Sequence, residues 1–104
     1  MSVPSFEDFT KRISALPDVN VAKWKDTELL CVFHNDKELG HFHGQTVLDI
    51  RLTPKIIKEE GLSRAISAQI HPKRSANSRW IGIPVENEAD RAMALGLIER
   101  ACSL

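Results

Sequence analysis

Two histidines, an aspartate and an arginine fall close together in this chain, at His41, His43, Asp49 and Arg51, and all four occupy odd positions. Phe42, Leu48, Ile50 and Leu52 occupy the even ones. Successive side chains of a strand point to opposite faces, so this pattern describes two strands whose polar residues share one side while the apolar residues build a core on the other. A carboxylate beside an imidazole orients and charges it, and a guanidinium holds an anionic group through two parallel hydrogen bonds. The chemistry this set supports is general acid/base work on a small, anionic or aromatic molecule, with His41, His43, Asp49 and Arg51 as the candidate catalytic residues.

Whether the four residues meet depends on the loop at Gly44. A two-residue Gly44-Gln45 loop pairs His43 with Thr46 and sets odd positions opposite even ones, which contradicts the alternation. A three-residue loop, Gly44-Gln45-Thr46, pairs His43 with Val47 and His41 with Asp49, and this register is the expected one. Two other readings compete. In the first, the face is simply solvated and Asp49 pairs with Arg51, an arrangement worth little in energy. In the second, His41-x-His43 with Asp49 or His71 ligates a metal ion. Arg51 beside the site would repel a divalent cation and no second close-spaced His/Cys pair exists, so no metal ligand is assigned.

His71, Arg74, Arg79 and Trp80 form a second candidate group, a basic and aromatic lip able to hold an anion or a ring. Against it stands a solvated loop with Trp80 packed in the core, and Trp24 is given the same core role. Cys31 lies in the apolar run Leu29 to Phe33, which favours an inert thiol over a nucleophile. The phosphate-binding GxGxxG and GxxxxGK[ST], the nucleophile elbow GxSxG and HExxH are all missing from the sequence, so it names no cofactor.

The elements that must position these residues can be read in order. Ser5 caps a helix to Leu16, with Glu7 and Asp8 in its first turn and Phe6, Phe9 and Ile13 at helical spacing. Val19 to Trp24 and Leu29 to His34 read as strands, Asn35 to Glu38 as a turn, and Leu39 to His43 with Thr46 to Leu52 as the hairpin. Thr53-Pro54 opens a short helix that stops at Gly61. Leu62 to Ile70 fits neither period and reads as a loop or short helix leading into a brief strand near His71. Arg79 to Val85 is a strand. Asn87 caps a final helix whose Ala89, Met93 and Leu97 recur every four residues, with Met93, Leu97, Leu48 and Ile50 expected in the core. This order lacks regular βαβ alternation. It predicts a single α+β domain over residues 1–104, with a mainly antiparallel sheet and the N- and C-terminal helices packed on one face.

Fourteen basic and fourteen acidic residues cancel among 104, leaving no field to hold a polyanion. A small molecule or a protein is therefore the expected partner, and nucleic acid and membrane are not. The N-terminus lacks a secretory pattern, which predicts a cytoplasmic protein with Cys31 and Cys102 unpaired. The sequence leaves the oligomeric state open.

Gly40-His41-Phe42-His43-Gly44, then Leu48-Asp49-Ile50-Arg51-Leu52, His71-Pro72, a Trp80 strand and an Ala/Leu-rich last helix together resemble the small luciferase-like domain family of bacteria and fungi. The resemblance runs from about Val21 to the C-terminus, and His41, His43, Asp49, Arg51, His71 and Trp80 match its pattern. It implies that the His/Asp/Arg face is used. The leading reading is a polar pocket on one sheet face that binds a small anionic or aromatic molecule, with its transformation left open; the rivals are a non-catalytic module that docks a protein and a metal-dependent activity through the His41-x-His43 pair.

Overall fold

Runs of alternating or apolar sequence become strands wherever a turn lets them pair with their neighbours. The computed structural model describes residues 6–25, 27–70, 72–74 and 78–104. In chain order its elements are α1 (Phe6–Ser14), β1 (Val19–Lys23), β2 (Leu30–His34), β3 (Lys37–His43), β4 (Val47–Arg51), α2 (Pro54–Glu59), α3 (Ala65–Ile70), β5 (Trp80–Pro84) and α4 (Glu88–Cys102). The strands form one sheet in the order β1-β2-β3-β4-β5, and every neighbouring pair is antiparallel. The fold is α+β, with the first and last helices on one face.

Two turns set the register. Asn35 and Asp36 both have positive φ, the backbone of a tight two-residue hairpin loop. The turn is thus shorter than the sequence suggested, and Glu38 belongs to β3. Gly44 has φ +67 and opens the three-residue link from β3 to β4. His43 then pairs with Val47 and His41 with Asp49, as the alternation required. Between β2 and β3 the pairing shifts: Val32 opposes Gly40, whereas Phe33 opposes Glu38. This bulge leaves Leu39 as the extra residue.

The even side of β3 and β4 is the core. Phe42, Leu48 and Ile50 join Ile81 and Ile83 of β5, Phe9 and Ile13 of α1, and Ala94, Leu97, Ile98 and Ala101 of α4. Phe6 and Phe9 meet the Phe42 ring edge to face. Gly40 lets the strands close up here, since a Cβ at this position would stand 2.7 Å from the Asp49 carbonyl oxygen. Thr53 and Asn87 cap their helices by accepting hydrogen bonds from the Ile56 and Asp90 amides. The expected Ser5 cap lies outside the described residues.

Three expectations are corrected. Met93 is 48% exposed. Steps of four advance about 400° around a helix, so the Ala89-Met93-Leu97 line drifts about 40° per step off the buried stripe, which runs through Ala94, Leu97, Ile98 and Ala101. The short helix allowed for Leu62 to Ile70 forms as α3, but it runs to Ile70 and leaves no room before His71 for the expected brief strand. It lies across Gly82 of β5, where an added Cβ would stand 3.0 Å from Ile66 and 3.2 Å from Ile70, and its buried Ser67 hydroxyl accepts the Gly82 amide at 2.8 Å. The sheet's edge is thereby blunted. Neither tryptophan is in the core: Trp24 is 39% exposed and stacked on Phe33, and Trp80 is half-buried on the polar side.

Candidate functional site

Residues paired across strands share a face, so the odd side of the sheet can be traced through Cys31, His41, Asp49 and Gly82. α3 covers the β5 end of this side by resting on Gly82. The chain then returns through Arg74 over the middle of the sheet. Arg74 donates from Nη1 to Asp49 Oδ1 at 2.7 Å and from Nη2 to Oδ2 at 2.8 Å, a two-pronged guanidinium–carboxylate pair. The Asp49 side chain is fully buried and that of Arg74 is 15% exposed.

His41 stands between two carboxylates. Its Nδ1 lies 3.1 Å from Glu38 Oε1, and its Nε2 lies 3.3 Å from Asp49 Oδ2. Nε2 of His43 is 3.9 Å from the same Oδ2. The two imidazoles meet at 5.0 Å between ring centres, and the Trp80 indole lies 5.6 Å from His41. His43 is the more open histidine, with 32% of its side chain exposed against 19% for His41. A ligand approaching this face therefore meets the His43 edge before it meets the buried Asp49 carboxylate, whereas Glu38, 30% exposed, is as open as His43.

The structure joins members of the two groups, which the sequence reading sets along one face. His41, His43 and Asp49 of the first come together with Arg74 and Trp80 of the second. Arg51 does not bond to them: it is exposed, opposite Trp80, and with Arg79 it lines a neighbouring cleft of about 270 Å³ that Lys37, Glu38 and Thr53 also border. The guanidinium that grips Asp49 is thus Arg74 and not Arg51. His71 lies outside the described residues.

Sequence reasoning missed Glu38. Read as a turn residue, it is carried beside His41 by the bulge at Leu39, and no signal in the sequence marks that bulge. Cys31 was read as part of an apolar run, yet it pairs with His41 on the polar side and is fully buried. Burial first, then the charge and hydrogen bond of Glu38, push its thiol from the ordinary 9.0 up to about 11. It is protonated at neutral pH and is a poor nucleophile. Cys31 and Cys102 are both free.

A sequence profile of the Luciferase domain family matches residues 36–101. The match is narrower than the resemblance suggested: it begins at the β2–β3 turn, so it takes in Glu38, His41, His43, Asp49, Arg74 and Trp80 but not Cys31 or Phe33. No curated protein and no solved structure matches the chain. No helix among the described residues is long and apolar enough to cross a membrane.

Proposed function

The chain belongs to the Luciferase domain family, and on that footing we propose that it binds a small anionic or aromatic molecule at the His41/His43/Trp80 face and moves a proton there. One observation carries this reading: Asp49 is wholly buried on the polar side of the sheet, gripped by Arg74 and flanked by both histidines. Burying an ion pair is a poor way to gain stability, since desolvation offsets most of the attraction. A solvated sheet face has no need of one. What the arrangement does provide is orientation: Asp49 and Glu38 fix the His41 ring from its two nitrogens, and His41 in turn supports the more open His43. Trp80 offers a ring face for stacking and the imidazoles offer donors to an anion.

The compartment we assign is the cytoplasm, a reading supported by the two unpaired cysteines. The balanced formal charge supports a small-molecule ligand over nucleic acid.

Titration with benzoate, phenyl phosphate and the neutral benzyl alcohol, followed through the imidazole and indole proton resonances, tests the proposal. Saturable shifts at His43 and Trp80 are expected, stronger for the two anions, with affinity at least tenfold weaker in His43→Ala. If none of the three compounds shifts these resonances saturably at millimolar concentration, the small-molecule reading is wrong.

A further inference from the structure

The same face has the geometry of a metal centre. His41 and His43 are two residues apart on β3, so both project from one side, and Asp49 stands opposite His41 on β4. The donor atoms of the three residues all lie within 4.8 Å of one another, and the two Nε2 atoms are 3.3 and 3.9 Å from Asp49 Oδ2. Four-coordinate zinc with bonds of about 2.0 Å holds its donor atoms roughly 3.3 Å apart. One of these separations already meets that value, and His43 must shift toward the other two donors, from 3.9 Å at Asp49 Oδ2, to complete the set.

The surroundings of the three donors fit as well. A ligating imidazole ordinarily gives its second N–H to a carboxylate, which fixes the tautomer that leaves the other nitrogen for the metal. Glu38 Oε1, 3.1 Å from His41 Nδ1, occupies that place. Ligating carboxylates are themselves held by hydrogen bonds, as Arg74 holds Asp49. Arg51, the cation that spoke against a metal in the sequence, is exposed, but Arg74 takes its place on Asp49, so the site tolerates a divalent cation only because Glu38 adds a second negative charge beside it.

Charge points to what completes the site. Glu38 and Asp49 contribute two negative charges and Arg74 one positive, so with neutral imidazoles the cluster carries one net negative charge. A divalent cation turns this to one net positive, and a single anion then neutralises it. We infer that His41, His43 and Asp49 form an open three-ligand site for a divalent first-row cation, zinc foremost, whose remaining position takes an anionic small molecule. The metal centre stands on the geometry alone; the identity of its last ligand rests on the small-molecule reading above.

Protein purified without a histidine tag and stripped with chelator is titrated with zinc by calorimetry, and with cobalt(II) by visible absorption. One equivalent of zinc is expected, together with the intense cobalt bands of a four-coordinate site. Affinity should fall at least a hundredfold in His41→Ala and His43→Ala and about tenfold in Glu38→Gln, while His34→Ala, which removes a histidine elsewhere, leaves it unchanged. His43→Gln, which keeps a hydrogen-bonding side chain at this half-open position, covers the case in which an alanine variant does not fold. Substoichiometric uptake, or uptake undiminished in both His43 variants, overturns the inference. The two readings fail separately. Zinc uptake with no benzoate or phenyl phosphate shift at Trp80 retains the metal centre and removes the small-molecule reading; ring anions that bind without any zinc uptake do the reverse.

Discussion

The two faces of the sheet are built from the same strands by the same alternation, yet they are held by different forces. On the even face, Phe42, Leu48, Ile50, Ile81 and Ile83 meet α1 and α4 mainly through apolar contact, with Arg91 of α4, buried over the Phe9 ring, as a charged exception. Such packing is non-directional, and any side chains of suitable volume would serve. On the odd face, Asp49 is as deeply buried as Leu48 or Ile50, but it is tolerated only because Arg74 and His41 sit at or within a few tenths of an ångström of bonding geometry. The first face stabilises the fold broadly. The second is fixed by direction and charge, which is how a chain spends stability on a site.

The largest effect should come from the polar face. Asp49→Ala leaves a guanidinium without its carboxylate and should cost about 3 to 5 kcal/mol in denaturant titrations, whereas adding Arg74→Met to that variant should recover part of the loss. A cost under about 1 kcal/mol would show that the pair behaves as a solvated one and would erase the contrast between the faces. On the apolar face, Leu97→Ala or Ile50→Ala should cost about 2 to 5 kcal/mol by leaving a cavity, with no rescue available from any single second substitution.

The next contrast is in pH. Cys31 lies on the polar side, and its thiol is raised from 9.0 to about 11 in the folded protein. Its contribution to stability is fully present below about pH 9; between there and about pH 11 the unfolded chain gives up a proton that the folded one keeps, so stability falls as pH rises. Melting temperatures across pH 8 to 11 should fall less steeply in Cys31→Ala than in the unaltered protein. The smallest effects belong to Arg51→Ala and Met93→Ala, both exposed, which should each change stability by no more than about 0.5 kcal/mol. A large loss on Arg51→Ala would place it in the Asp49 network in Arg74's stead.

Much of this was legible in the chain itself because alternation is a local property. Phe42, Leu48 and Ile50 at even positions, with His41, His43 and Asp49 at odd ones, defined both faces and, through the conflict raised by a two-residue loop, the register that pairs His41 with Asp49. The caps at Thr53 and Asn87 were equally local, since a side-chain oxygen needs only the amide three residues on. What surrounds the face was not local. The bulge that swings Glu38 onto His41 arises from β2 meeting β3, and α3 resting on Gly82 returns the chain so that Arg74, 25 residues away, reaches Asp49. Met93 and the two tryptophans were misplaced for the same reason: a residue's type states what it can bury, but only the packing of distant elements decides which surface is covered. The sequence determined which side chains share a side of the sheet, and the tertiary structure decided which cation and which carboxylate complete the site.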